Sequence, residues 1–212
     1  PPQQRRVDIH AHPPFCCRGN VNFFQTCYHK GKEKERGFRM KNKTFWIAET
    51  AVMIALLVAL QWATKALGQF VTGSCVNLVL GVSTLVGGAW CGAVVALVSP
   101  FCAFLVGVGP AKLAIVPFIA VGNLVLVLVL HFIAGGKPLG LRSYLAVAAA
   151  AVCKFVVLFL LVTKVAIPAL NLPEAAAAAM SASFSWPQLV TAAIGGVIAV
   201  TIAPAIRKAL KR

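Results

Sequence analysis

Several apolar runs of about 20 residues with almost no charge constrain this chain more than any other feature of its sequence. A helix of that length rises about 30 Å, which is the thickness of the hydrocarbon core of a bilayer. Lipid offers the backbone no hydrogen-bond partner, and the runs lack the alternation of barrel strands, so helices are predicted to span the membrane. A hydrophobic fraction of 59% with 12% charged residues supports the same class.

Residues 40–212 are predicted to form an all-α membrane domain with six transmembrane helices. The approximate spans are 46–66, 74–87, 89–107, 113–134, 143–166 and 188–206. The second span is the weakest, because it is short, contains Gly81 and ends at two glycines. It could be tilted, broken or partly re-entrant, and without it the number of crossings would be odd. Residues 167–187 are predicted to form a long connection.

The distribution of Lys and Arg predicts the orientation of these spans. Three basic residues fall at the predicted outer ends, Lys65, Lys112 and Lys164. Eight fall at the opposite ends: Lys41, Lys43, Lys137, Arg142, Arg207, Lys208, Lys211 and Arg212. Because cytoplasmic loops of membrane proteins carry the excess of positive charge, both termini of the domain are predicted to be cytoplasmic. The protein is therefore expected to be a multi-pass protein of the bacterial cell membrane.

Residues 1–39 differ from the rest of the chain, since they are polar, lack a helical period and contain eight of the twenty Lys and Arg. The stretch GKEKERG at 31–37 can be encoded by purine-rich codons, as an in-frame ribosome-binding site would be, and Met40 follows it closely. We therefore expect the natural protein to begin at Met40 and residues 1–39 to be non-native or disordered upstream sequence.

Residues that could carry catalysis are scarce after Met40. The acidic residues there are Glu49 and Glu174, near opposite ends of the membrane, and neither a His-Glu-x-x-His motif nor a phosphate-binding loop occurs. The Cys and His residues of 1–39 lack zinc-site spacing, and the basic residues form no patch of the kind that binds nucleic acid. We predict no enzyme activity, no metal, no cofactor and no nucleic-acid partner.

The stretch AVMIALLVA, residues 51–59, places alanine at every fourth position: Ala51, Ala55 and Ala59. Positions four apart drift only about 40° around a helix, so these residues form one shallow groove. Association of helices in lipid depends on close packing, which small residues permit. The groove is predicted to receive another helix, which belongs either to the same bundle or to a partner.

A six-helix membrane protein of this size with this first helix resembles the substrate-binding S component of an energy-coupling factor (ECF) vitamin transporter. The stretches GGAWCGAVVALVSPFCAFLVGVGP (87–110) and PFIAVGNLVLVLV (117–129) are also similar to the middle helices of that family. The resemblance implies that Ala51, Ala55 and Ala59 dock on a transmembrane T component and that two partner ATPases use the ATP. It also implies a cargo site in the outer half of the bundle, beneath 67–74, 107–112 and 184–187.

Polar residues within the apolar spans are the candidates for binding that cargo, because each costs free energy unless it meets a partner, water or a ligand. Lys154 lies near the middle of span five, where an unpaired ammonium costs about 2.5–3.5 kcal/mol on insertion scales. It is predicted to face a cavity as a counter-charge for a cargo carboxylate or phosphate. The alternatives are a lysine that snorkels towards the membrane surface and a hydrogen-bonded structural lysine. Asn77 and Asn123 would bind cargo or join helices, and Lys112 would lie at the cavity mouth or in an exposed loop.

Trp186 is the fifth candidate for the cargo site, because its ring could stack on a flat ligand. It is also placed where an aromatic residue anchors a helix at the membrane surface.

The function predicted from these observations is capture of a small water-soluble vitamin or related nutrient from outside the cell. Lysines at or near membrane depth without embedded acids favour an anionic cargo. Two alternatives remain open. A stand-alone secondary transporter usually has an ion-coupling carboxylate or an inverted repeat, and neither is visible. In a structural membrane assembly protein, the alanine groove would serve packing alone.

Overall fold

A computed structural model describes residues 44–108, 112–134 and 140–210. Contacts divide the chain into two units, Pro1–Lys43 and Thr44–Arg212, and every described residue belongs to the second. The predicted upstream segment 1–39 therefore lies outside the described residues. So do several basic residues used to predict the orientation: Lys41, Lys43, Lys137, Lys211 and Arg212.

The secondary structure of the described residues is helical throughout, as the apolar runs predict. We number the helices α1 (Thr44–Leu67), α2 (Gln69–Leu105), α3 (Val116–Ala134), α4 (Leu141–Leu160), α5 (Glu174–Ser183) and α6 (Trp186–Ala209). A 3-10 turn, Leu113–Ile115, precedes α3, and α4 continues through a π-helical segment, Leu161–Ala166, into Ile167–Ala169. Among the described residues, five helical stretches are long and apolar enough to cross a membrane: Thr44–Leu67, Gln69–Leu105, Leu113–Ala134, Leu141–Ala169 and Glu174–Ala209.

The 37-residue helix α2 is broken at Gly88, which has φ 89° and ψ 179°. Glycine adopts this left-handed conformation without the steric cost that a side chain would add. A Cβ atom built on Gly92 would lie 3.2 Å from Cα of Thr84, whereas residues eight apart in a straight helix are about 12 Å apart. The two arms of α2, residues 69–87 and 89–105, therefore lie side by side. They correspond to the second and third predicted spans.

Helices α2, α3, α4 and α6 pack in a ring, each against the next, with the contacts between α2 and α6 the most extensive. Glycines allow the close approach. A Cβ atom on Gly195 would lie 2.7 Å from the backbone nitrogen of Leu78, and one on Gly81 would lie 2.6 Å from Cβ of Ala199. Gly81 therefore does not interrupt the first arm of α2 but brings it against α6, as small residues do between membrane helices.

Helix α1 packs against this ring with one face only. Leu57 is fully buried in the core, and Met53, Ile54 and Leu60 pack beside it. In the most apolar 18-residue segment of α1, 17% is buried inside the protein. The corresponding segments of the other four stretches are 39% to 61% buried. The remaining faces of α1 are exposed in the described structure.

The predicted long connection at 167–187 contains a helix, α5, that the sequence analysis did not predict. This helix begins after Pro173 and ends at Ser183. The side chain of the next residue, Phe184, packs with Ile115, Leu158 and Val162. The connection between the first two predicted spans, residues 67–73, is shorter than expected. It consists of Gly68 alone, with φ 86°, and α2 begins at the next residue.

Candidate functional site

A cavity of about 670 Å³ lies at one end of the bundle, within the range of roughly 300–1,000 Å³ typical of small-molecule sites. Residues from all six helices line it. Exposed lining residues at the surface end include Lys65, Gly68, Gln69 and Lys112. Its inner end reaches fully buried residues near the middle of the helices, so the cavity runs from the surface into the bundle.

Three of the residues predicted to bind cargo meet at this inner end, and we call them the buried polar group: Lys154 of α4, Asn77 of α2 and Asn123 of α3. The Nζ atom of Lys154 donates to Oδ1 of Asn77 at 2.6 Å and to Oδ1 of Asn123 at 2.8 Å. All three side chains are at most 2% exposed, and all three line the cavity. Lys154 is therefore hydrogen-bonded and also lines a cavity, whereas its role as a counter-charge stays a prediction.

The orientation of Asn77 within this group is set by its own contacts. Its Nδ2 atom donates to the carbonyl of Gly73 at 2.8 Å and to Oγ1 of Thr191 at 3.4 Å. These bonds leave Oδ1 directed at Lys154. Gly195 lies behind the side chain, because a Cβ atom there would be 2.8 Å from Cβ of Asn77. Helix α6 thus helps to orient Asn77 through Thr191 and Gly195, although no residue of the buried polar group belongs to α6.

Several further polar residues line the cavity and were missed by the sequence analysis, among them Gln61 and Ser99. Within the described part of the chain, Oε1 of Gln61 and Oγ of Ser99 are buried and have no hydrogen-bond partner. Buried polar atoms normally have partners, so unsatisfied ones in a cavity are available to a ligand or to water. Ser99 precedes Pro100 in the second arm of α2.

The mouth of the cavity is basic. Lys112 is exposed and also lines the cavity, so the loop and mouth placements predicted for it coincide. Lys65, at the end of α1, also lines the cavity, with Nζ 3.7 Å from the position of a Cβ atom on Gly107. Val108 and Lys112 border residues 109–111, which lie outside the described residues.

Helix α5 covers the cavity with one face, formed by Ala176, Ala179, Met180 and Ser183. These positions follow the spacing of one helix face, and a run of alanines has the highest helix propensity, which is the signal that could have identified α5. Nε2 of Gln69 donates to the carbonyl of Ser183 at 2.6 Å and so joins the end of α5 to the start of α2.

Trp186 is the one predicted cargo residue that does not line the cavity. Its side chain is 60% exposed, and its ring centroid lies 5.5 Å from that of Phe70. This position matches the interfacial anchor that was the alternative for Trp186. Phe184, a neighbouring aromatic residue, does line the cavity.

The predicted docking residues Ala51, Ala55 and Ala59 are all exposed, as are Ala48 and Ala63 on the same helix. The groove that they form is therefore not covered by the described helices of this chain. Comparisons of the chain with protein-family models, with curated proteins and with solved structures found no match. The resemblance to S components thus depends on the residues and topology described above.

Proposed function

We propose that this protein captures a small water-soluble nutrient, such as a vitamin, as the S component of an ECF-type importer. The cavity carries this proposal. It combines an entrance at one end of the bundle with a buried polar group at its inner end, which is the arrangement expected of a binding site. A lysine and two asparagines from three helices would fix the cargo, and the apolar walls would bury it.

We further propose six membrane crossings with both termini in the cytoplasm. The break at Gly88 supports this number, because each arm of α2 would cross once. Arg207 donates two hydrogen bonds to the carbonyl of Leu85 and Arg142 donates one to the carbonyl of Ile133, so these basic residues are at the end near Gly88. The positive-inside rule makes that end cytoplasmic and directs the cavity outward.

The exposed alanine groove of α1 would dock on a T component, and two ATPases of the complex would use ATP to drive release of cargo into the cell. The protein itself would carry no catalytic residues and no cofactor. Small residues allow close helix contact in lipid, and the groove is the part of α1 left free for such contact.

The first experiment is mass spectrometry of small molecules released from the full chain purified in mild detergent. We expect a water-soluble compound to be released in a near-stoichiometric amount. Adding that compound back to stripped protein should raise the thermal unfolding temperature. Protein that releases no compound and is stabilised by none in a vitamin panel would contradict the capture function.

A second experiment tests docking with Ala55→Trp, compared with Val152→Trp on an exposed face of α4. We expect Ala55→Trp to abolish uptake and co-purification of ATPases while cargo binding by the isolated protein persists. Val152→Trp should leave all three unchanged. If no ATPase co-purifies with the wild type, the assembly-protein or secondary-transporter alternatives are favoured. If Ala55→Trp abolishes binding as well, the groove belongs to the fold of this chain.

A further inference from the structure

The charges that line the cavity are all positive. Three lysines line it, Lys65 and Lys112 at the mouth and Lys154 at the inner end, and none of the described lining residues is acidic. The described acidic residues are placed elsewhere. Glu174 is exposed at the start of α5, and Glu49 lies beside Gly87 at the opposite end of the bundle. A ligand entering the cavity therefore meets positive charge along its path.

The hydrogen-bonding capacity of Lys154 is only partly used. A protonated lysine has three donors, and two of them are taken by the amide oxygens of Asn77 and Asn123. Those acceptors are neutral, and no carboxylate of the described residues accepts a hydrogen bond from Lys154. A buried charge is costly without a counter-charge, so an anionic group at this point would satisfy the third donor and neutralise the ammonium.

Ser99 lies at the same depth as the buried polar group. Asn77 and Ser99 are each eleven residues from Gly88, on opposite arms of α2, so both are about 16 Å from the break. The Ser99 hydroxyl is buried and has no partner within the described residues. It supplies a second donor for an anion at this depth.

The donors suit a carboxylate better than a phosphate. Phosphate groups are commonly held by arginine forks or by several backbone amides at a helix start, and no arginine is among the described lining residues. Lysine also binds phosphate, but Lys154 is the single charged residue among the described ones at the inner end. One remaining lysine proton and one hydroxyl match the two oxygens of a single carboxylate. The walls beyond are apolar, with Val108, Ile115, Ile119, Met180 and Phe184 among them, which suits a less polar body.

We infer that the cargo is a small organic monocarboxylic acid, bound with its carboxylate at Lys154 and Ser99 and its body against the apolar walls. Lys65 and Lys112 attract the anion to the mouth, because charges that line a cleft raise the association rate of an oppositely charged ligand. This inference rests on the proposed capture function and specifies its substrate class.

The test uses the full chain, stripped of bound compounds, and matched probes: nicotinate with nicotinamide, biotin with biotin amide, and pantothenate with panthenol. Pyridoxal 5′-phosphate and thiamine serve as a phosphate ester and a cation. We expect at least one acid to bind at least tenfold more tightly than its neutral counterpart, measured by thermal stabilisation. In Lys154→Gln this preference should disappear. Lys164→Gln, which removes an exposed lysine that does not line the cavity, should retain it.

Two milder variants keep the inference testable if Lys154→Gln does not fold. Ser99→Ala should weaken binding of the acid more than binding of the neutral probe. The double variant Lys65→Gln/Lys112→Gln should slow association of the acid severalfold at low salt and leave its dissociation rate unchanged.

The inference and the proposed function can fail separately. If the compound released from the wild type is neutral, cationic or a phosphate ester, capture stands and the monocarboxylate inference is overturned. A preference for acids that survives in both Lys154→Gln and Ser99→Ala would also overturn it. If the wild type releases nothing and binds no probe, the capture function fails and the inference fails with it.

Discussion

Helices α1 and α2 are almost equally apolar, but they differ in burial. In the most apolar 18-residue segment of each helix, 17% of α1 is buried and 61% of α2 is buried. Both also carry small residues. The glycines of α2, Gly81 and Gly92, are covered by α6 and by α3 and the opposite arm, whereas the alanines of α1 are exposed. The difference shows that hydropathy determines whether a helix can enter the membrane but not which neighbours it will have.

The contrast also separates two uses of small residues. In α2 they bring backbones of the same chain together, so they serve the packing of this fold. On α1 they leave a smooth surface that the described part of the chain does not occupy. If both surfaces have been assigned correctly, substitutions in α2 and on the inner face of α1 should destabilise the fold, whereas substitutions on the outer face of α1 should not.

The largest effect on stability is expected for Gly195→Ala, at the contact of α6 with α2. The added methyl group would meet the backbone nitrogen of Leu78 at 2.7 Å, and backbone cannot move aside as a flexible side chain can. We expect a loss of about 3 kcal/mol, the upper part of the usual cost of overpacking, measured as thermal unfolding in detergent. Gly140→Ala is the control, because a Cβ atom there meets nothing within 4 Å. Equal stability of the two variants would contradict the tight α2–α6 contact.

The next largest effect is expected for Leu57→Ala on the inner face of α1. Leu57 is fully buried, whereas its neighbour Leu56 is 46% exposed, so the two positions compare the faces of one helix with one substitution. We expect Leu57→Ala to cost about 2 kcal/mol, the low end of the range for buried leucines, because the unfolded reference is also in an apolar medium. Leu56→Ala should change stability by less than about 0.5 kcal/mol. The reverse order would mean that α1 packs with its other face.

The smallest effects are expected for a pair of valines that compares the two helices directly. Val79 of α2 is 3% exposed and Val52 of α1 is 62% exposed. Val79→Ala should cost about 1 kcal/mol through the cavity it leaves, and Val52→Ala should cost less than about 0.5 kcal/mol. The measurement is the same thermal unfolding of purified protein. A cost for Val52→Ala as large as that for Val79→Ala would show that the outer face of α1 is covered within the chain.

The helical class, with helices long and apolar enough to cross a membrane, could be predicted from the sequence, because charge-free runs of about 20 residues have few other solutions. The break at Gly88 was also visible, as the boundary between two predicted spans. Helix α5 was not predicted, since residues 167–187 were expected to form a long connection. The number of crossings and the location of the termini stay predictions.

Within the candidate site, Lys154, Asn77 and Asn123 were each predicted from the cost of a polar group at membrane depth. That cost gives the depth of a residue but not the direction in which it points around its helix. Ser99 was missed and Trp186 was predicted to bind cargo for the same reason, since only the packing of α2 and α6 determines which side chains line the cavity.

The sequence by itself determined that this chain forms apolar helices, how far along each helix a polar residue lies, and where glycine permits a sharp reversal. These are local properties, since they follow from side-chain transfer energies and from the 1.5 Å rise of a helix. The tertiary structure alone decided that three polar residues from three helices share hydrogen bonds beside a cavity, and that one face of α1 stays uncovered. Both depend on how each helix is rotated about its axis, which is set by close packing between helices and is not encoded in any single span.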